Sequence, residues 1–160
     1  MPSTHKKVIV RKLDRDSVSG YVAPQFVVEG KVELLNIAGN VVSIDLRDIK
    51  AVHFVRDFAE TDAPSRKTFV TRPRTAGLWV RLRFRDNDII EGLMPNDLTQ
   101  LPPEGFLLNP PDTRSNTQRI FVPRTALASL TVLAVIGAGP ARRRATAAAT
   151  DERQVTMFEQ

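Results

Sequence analysis

The sequence has no cysteine, one tryptophan, one tyrosine and two histidines. Without cysteine, disulfide scaffolds, thiolate zinc sites and cysteine nucleophiles are excluded. His5 lies at the start of the chain and His53 within an alternating apolar stretch, so we expect His53 to be a structural histidine and not a general base. The glycines near residue 137 run into Pro140 and arginine, unlike a phosphate-binding loop. We therefore expect a protein that is not an enzyme and holds no cofactor and no metal.

Long apolar runs are also missing. The longest, residues 126–138, is interrupted by Ser129, Thr131 and Gly137 and is shorter than the ~20 residues that a membrane span needs. The first seven residues are polar and basic and do not resemble a signal peptide. These features predict a cytoplasmic protein with no membrane partner. The net charge of +5 and the pI near 10.1 allow a polyanionic partner such as DNA or RNA.

The chain aligns with itself in three blocks that keep the same order. Residues 8–20 match 80–92 with numbers that differ by 72, residues 29–32 match 104–107 with a difference of 75, and residues 44–54 match 122–132 with a difference of 78. Because the extra residues fall only in loops, the blocks indicate an internal duplication. The alternative is that any two strand–turn–strand units look alike.

Period-two alternation predicts strands in both copies. Each copy opens with a hairpin whose turn contains two acids, Asp14 and Asp16 or Asp86 and Asp88, which we interpret as turn residues and not as a metal site. Further strands are predicted at 31–36, 41–46, 51–55, 106–108, 118–122 and 130–135, with short helical turns within 46–50 and 123–128.

The predicted fold class is therefore mainly all-β. It comprises two tandem, mutually packed small β-barrel modules, residues 1–58 and 78–137, joined by a connector at 59–77 that contains Pro64 and Pro73. Residues 138–160 lack a core-forming pattern and are predicted to be a disordered basic tail.

The hairpins and the Ile/Val-rich last strands resemble the five-stranded barrels of the Sm-like or SH3-like type. The residues that carry this resemblance are 80–97 and 120–133, with 8–22 and 44–55 in the first copy. The segment from Gly92 to Asp97 places its acid one step earlier than Sm proteins do, so their RNA pocket does not carry over. The body is also similar to an uncharacterised bacterial family, which implies no function.

A second resemblance concerns PilZ domains, which bind cyclic di-GMP. Arg11 and Arg15, followed by Ser17 and Gly20, resemble the two PilZ motifs, although here the motifs overlap instead of being separated. This resemblance implies, as an alternative function, a sensor of a cyclic dinucleotide or another small ligand.

A third resemblance lies in residues 154–158, Gln-Val-Thr-Met-Phe, which are similar to the peptide that binds the bacterial DNA sliding clamp. The resemblance implies that Met157 and Phe158 fill an apolar pocket, that the Gln154 amide fixes the register and that Val155 occupies the aliphatic position. Docking of this peptide on the chain's own body is the alternative.

Arginines alternate with apolar residues in residues 80–85, which predicts three guanidinium groups, Arg81, Arg83 and Arg85, on one strand face. With Arg72 and Arg74 of the connector, they form a candidate nucleic-acid-binding surface. The alternative is an ordinary solvated strand face. The leading hypothesis is a non-enzymatic adaptor whose duplicated body contacts nucleic acid or a protein, and whose tail tethers it to the DNA sliding clamp.

Overall fold

The computed structural model describes residues 5–59, 66–112 and 114–137. Within these ranges the regular structure consists of eleven strands and three short 3-10 turns, which confirms the prediction of a mainly all-β fold. The strands are β1 (Lys6–Lys12), β2 (Ser17–Val22), β3 (Val27–Val28), β4 (Lys31–Asn36), β5 (Val41–Asp45), β6 (Ile49–Val55), β7 (Gly77–Phe84), β8 (Ile89–Met94), β9 (Gly105–Leu108), β10 (Thr117–Pro123) and β11 (Leu127–Ile136). The 3-10 turns are Leu46–Asp48, Leu98–Gln100 and Arg124–Ala126.

The two halves of the chain show the same order of antiparallel pairing. In the first half β1 pairs with β2, β2 with β4 and β4 with β5, after which a 3-10 turn leads into β6 beside β1. In the second half β7 pairs with β8, β9 with β10, and a 3-10 turn leads into β11 beside β7. A bridge between Leu93 and Asn109 links the end of β9 to β8. The second half therefore has fewer paired residues at this point, because a single bridge joins β8 to the end of β9 where a strand pair joins β2 to β4.

The register of these pairs also recurs. Val8 lies opposite Gly20 as Val80 lies opposite Gly92, at a difference of 72. The pair Lys12–Ile49 corresponds to the pair Phe84–Leu127, because Lys12 and Phe84 differ by 72 in number and Ile49 and Leu127 differ by 78. In both pairs of strands the register shifts next to this position. The recurrence is a property of the structure, whereas duplication as its origin stays an interpretation.

The middle block of the predicted repeat was wrong by one residue. Leu34 faces Val42 as Leu108 faces Ile120, so the numbers differ by 74 and not by 75. The physical reason is side-chain alternation: Leu34 and Leu108 are both buried, and a shift of one residue would point one of them to solvent. The short Glu-Gly match in the sequence indicates the alignment of these strands less reliably than the alternation of buried and exposed side chains does.

The turns of the two hairpins are built alike, as their acids predicted. The Asp16 amide donates to Asp14 Oδ1 at 2.9 Å, and the Asp88 amide donates to Asp86 Oδ1 at 3.0 Å. The residue between the acids has positive φ in both turns, 76° at Arg15 and 68° at Asn87. Asn tolerates this left-handed conformation better than Arg does, so the first turn is the more strained.

The halves are joined by an eight-stranded sheet that contains β1 to β6 together with β9 and β10, whereas β7, β8 and β11 form a separate three-stranded sheet. Strand β6 of the first half pairs with β10 of the second, with Phe54 opposite Arg119, His53 opposite Ile120 and Val52 opposite Phe121. We call this the seam. Two hydrophobic cores flank it, and each includes one residue from the other half, Phe121 in the first and Ala51 in the second. The boundaries predicted for the modules and the connector stay predictions.

Candidate functional site

The arginines of the predicted nucleic-acid surface fall into separate groups. On β7, Val80, Leu82 and Phe84 are buried, while Arg81 and Arg83 lie on the opposite, exposed face. The strand ends at Phe84, so Arg85 lies in the hairpin turn and the prediction that it shares the strand face was wrong. The turn begins there because the Phe84 amide donates to the Asp88 carbonyl and so closes the hairpin.

Arg81 forms an ion pair with the buried carboxylate of Glu91. Its Nη2 lies 3.2 Å from Oε2 of Glu91, a residue that is 4% exposed. Oε1 of Glu91 accepts hydrogen bonds from Trp79 Nε1 and from the Phe69 amide, both at 3.1 Å. Burial opposes the charged form, but the hydrogen bonds from Phe69, Trp79 and Arg81 outweigh it, so the pKa of Glu91 is below its usual value. We name these four residues the Glu91 cluster, and its geometry gives Arg81 a structural role.

Sequence reasoning missed Glu91, although a signal for it existed. In a hairpin that turns at residues 85–87, antiparallel register places position 91 opposite position 81, as the structure shows. An opposite charge at that position indicates a cross-strand ion pair.

The other four arginines of the predicted surface are exposed. Arg83 reaches Asn87 Oδ1 at 3.5 Å, a marginal hydrogen bond. Within the described ranges, none of Arg72, Arg74, Arg83 and Arg85 pairs with a carboxylate. Arg72 and Arg74 precede β7 in the chain, Arg83 lies near the end of β7 and Arg85 lies in the turn that follows. Of the five arginines of the predicted surface, these four therefore have available guanidinium groups, whereas Arg81 does not.

The acids of the second hairpin turn hold two lysines. Lys50 Nζ, from β6, lies 2.8 Å from Asp86 Oδ2 and 3.0 Å from Asp88 Oδ2, and Lys67 Nζ lies 2.9 Å from Asp88 Oδ1. Hydrogen bonding by Lys50 lowers the pKa of Asp86. Burial raises the pKa of Asp88, but the bonds from Lys67 and Lys50 outweigh it and the net shift is also downward. These carboxylates link the two halves.

His53 lies in the seam. Its Nδ1 is 3.4 Å from Thr117 Oγ1, and its strand neighbours are Ile9 and Ile120. Burial, assisted by the positive charges of Arg11 and Lys50, lowers the pKa of His53 from 6.5 to about 4. The imidazole is thus neutral at physiological pH, in keeping with the structural role expected from the sequence.

The residues of the PilZ-like motifs meet on the first hairpin. Arg11 of β1 is the register partner of Ser17 of β2, and Arg15 lies in the turn between them. Gly20 has a structural explanation, because a Cβ atom there would lie 2.4 Å from the Leu35 carbonyl oxygen. The clamp-like residues Gln154, Val155, Met157 and Phe158 lie outside the described residues.

An open groove of about 580 Å³ lies between loops of the two halves. Phe26, Pro102, Leu107 and Phe121 supply apolar walls, and two carboxylates, Glu29 and Glu104, lie among the lining residues. Carboxylates repel phosphate groups, so this groove is a poor site for a nucleotide.

Residues 5–59, 66–112 and 114–137 contain no group of three or more acidic or histidine side chains placed to hold a metal ion. The same ranges contain no helix of the length and apolarity needed to cross a membrane. The fold defines an antiparallel β protein with an eight-stranded sheet, which contains strands of both halves, and a three-stranded sheet.

The chain belongs to a family of unknown function (DUF6982), whose sequence profile matches residues 4–134. Searches of curated proteins and of solved structures found no match.

Proposed function

We propose that the chain is a cytoplasmic adaptor without catalytic activity, which contacts the phosphates of DNA or RNA and docks on a DNA sliding clamp. The observation that carries the nucleic-acid part is the availability of the four guanidinium groups of Arg72, Arg74, Arg83 and Arg85, which have no carboxylate partner among the described residues. Arg81 does not belong to this set, because the Glu91 cluster holds it.

The chemistry of this surface favours phosphates over bases. A guanidinium group donates two parallel hydrogen bonds to phosphate oxygens, and such bonds position a protein without reading sequence. Trp79, the only tryptophan, is unsuited to stacking on a base, because its indole N–H donates to Glu91 and its ring packs edge-on against Phe69 at 5.9 Å. Binding should therefore be independent of sequence and sensitive to salt.

Fluorescence anisotropy with labelled DNA and RNA oligonucleotides tests this proposal. The double variant Arg83→Ala/Arg85→Ala should bind at least tenfold more weakly than the native chain at low salt, because each arginine–phosphate hydrogen bond contributes about 1 kcal/mol. The matched control, Arg114→Ala/Arg119→Ala, removes the same charge from two exposed arginines outside β7 and its flanking segments, which also have no carboxylate partner among the described residues. Equal weakening by both double variants would show that only net charge matters and would contradict the proposed surface.

Docking on the sliding clamp is supported by the sequence of residues 154–158 alone. In the full-length chain, Met157→Ala/Phe158→Ala should abolish binding to a purified bacterial clamp, because these two side chains are the expected anchors. Thr156→Ala is the control, since this position accepts small residues. Unchanged binding by the double variant, or no binding by the native chain, would remove the clamp from the proposal.

A sensor of cyclic dinucleotides is the second candidate, favoured by the convergence of Arg11, Arg15 and Ser17 on one hairpin. Cyclic di-GMP at saturating concentration should then raise the melting temperature, and Arg15→Ala should cancel the rise. No shift in the native chain would eliminate this candidate.

We also infer that the two halves arose by duplication of one unit. The support is that corresponding strands of the two halves pair in the same register, with one fixed difference in residue number for each strand. The register shift between β1 and β6 also recurs at the same position between β7 and β11.

A further inference from the structure

The seam uses one strand from each half, and each of these strands has a counterpart that is left at an edge. In the repeated pattern β6 corresponds to β11, and β10 corresponds to β5, both at a difference of 78. Among the described residues β5 pairs only with β4, and β11 pairs only with β7. The chain thus carries both sides of a second seam, one at each end, without joining them.

The two edges lack lysine and proline, although β5 ends at the charged Asp45 and the register of β11 against β7 shifts after Leu127 and after Val132. Natural edge strands carry lysines or prolines, or are very short. Strand β11 has ten residues and no charged side chain, and β5 has no lysine. Val41 on β5 is 74% exposed, and Val132 and Val135 on β11 are 50% and 55% exposed. Edge β3, in contrast, has two residues.

We propose that a second copy of this chain occupies these edges, with β11 of one copy paired antiparallel to β5 of the next. The register of this pairing follows from the seam. Adding 78 to a residue number of β6 gives the corresponding residue of β11, and subtracting 78 from a residue number of β10 gives the corresponding residue of β5. Phe54 opposite Arg119 becomes Val132 opposite Val41, and His53 opposite Ile120 becomes Thr131 opposite Val42. The pairing brings the two exposed valines Val41 and Val132 together, and β-branched cross-strand pairs of this kind stabilise sheets.

The interface is heterologous, since each copy contributes a different edge. Copies joined head to tail form either a closed ring or an open filament. This consequence rests on the proposed function: each added copy brings another set of phosphate-binding arginines, so that the assembly should hold a nucleic acid more tightly than one chain does.

Sedimentation of the full-length chain over a range of concentrations tests the proposal. The native chain should sediment at multiples of its 17.8 kDa mass, whereas Val41→Lys and Val132→Lys should each sediment as monomers. Val70→Lys is the matched control, because Val70 is 76% exposed and lies on neither edge. Since Val41 and Val132 are themselves exposed, neither charge should disturb folding, which circular dichroism checks.

Mixing the two edge variants distinguishes this interface from any other. A Val41→Lys chain keeps an intact β11 and a Val132→Lys chain keeps an intact β5, so the mixture should form a dimer that cannot grow. A native chain that stays monomeric at every concentration would overturn the proposal, as would edge variants that still assemble.

Cysteine cross-linking then checks the register, because the native chain has no cysteine. A mixture of Val41→Cys and Val132→Cys chains should give a disulfide-linked dimer under mild oxidation, whereas Val41→Cys mixed with Val70→Cys should not. Homodimers of the single variants without the mixed product would indicate a symmetric interface and would contradict the head-to-tail arrangement.

Discussion

Arg81 and Glu91 lie opposite each other on neighbouring strands, with Nη2 of the arginine 3.2 Å from Oε2 of the carboxylate. Glu91 is buried and Arg81 is half exposed, so the arginine satisfies a charge that water cannot reach. The same pair therefore stabilises the second half and removes one guanidinium group from the candidate phosphate surface.

The first prediction concerns the cost of breaking the Glu91 cluster. Glu91→Ala leaves the Trp79 N–H, the Phe69 N–H and Arg81 without their acceptor, so we expect a decrease of about 3 kcal/mol in the free energy of unfolding. Glu91→Gln keeps a neutral acceptor and should cost about 1 kcal/mol. Urea denaturation measures both, and equal costs for the two variants would contradict the network described.

The second prediction concerns Lys50, whose ammonium group contacts Asp86 and Asp88 from the other half and lies 4.9 Å from the centre of the Phe84 ring. Lys50→Met should lower the free energy of unfolding by about 1–2 kcal/mol, because Asp86 loses its ion-pair partner, Asp88 keeps only Lys67, and the contact of the ammonium group with the Phe84 ring is lost. Lys67→Met is the comparison and should cost less than about 0.5 kcal/mol, since Lys67 is more exposed. Urea denaturation again decides, and the reverse ranking would contradict this account.

The third prediction is a pH dependence that originates at His53. Its folded-state pKa of about 4 lies below the unfolded value of 6.5, so the unfolded chain binds the proton more tightly in this interval. Stability is therefore complete above pH 6.5 and falls as the pH drops towards 4. Between pH 7.5 and 5 the decrease from this group should be about 1–2 kcal/mol.

His53→Gln isolates this contribution, because every other titratable group is common to both proteins. Thermal unfolding at several pH values should show a flatter dependence for the variant between pH 7.5 and 5. Parallel curves for the two proteins would mean that His53 is not the source.

The fourth prediction compares two glycines at the same position of the repeated pattern. A Cβ at Gly20 would lie 2.4 Å from the Leu35 carbonyl oxygen, whereas at Gly92 the nearest backbone atom is the Asn109 oxygen at 3.1 Å. Gly20→Ala should therefore cost more than about 2 kcal/mol and Gly92→Ala about 1 kcal/mol. Similar melting temperatures for the two variants would contradict the closer packing of the first half.

The local features of the fold were predictable because local chemistry specifies them. The alternation in residues 31–36 predicts β4 with the bounds observed, and the acids at 86 and 88 predict the turn that they cap. The 3-10 turns at Leu46–Asp48 and Arg124–Ala126 also fall within the predicted segments.

Long-range features escaped the sequence because no local pattern encodes them. Nothing in residues 49–55 indicates that β6 is shared between β1 and β10, or that Lys50 reaches the turn of the other half. Arg85 was misplaced because alternation continues in the sequence beyond the point where the strand ends at Phe84. The predicted surface also included Arg81, which the structure pairs with Glu91.

The salt dependence of nucleic-acid binding tests the central claim most directly. The slope of log Kobs against log salt concentration becomes less negative by about 0.9 for each phosphate of duplex DNA that the protein no longer neutralises. For Arg83→Ala/Arg85→Ala we expect a change of about 2, with unchanged unfolding by urea. A slope equal to that of the native chain, or an equal change in Arg114→Ala/Arg119→Ala, would contradict the assignment of these arginines to phosphate binding.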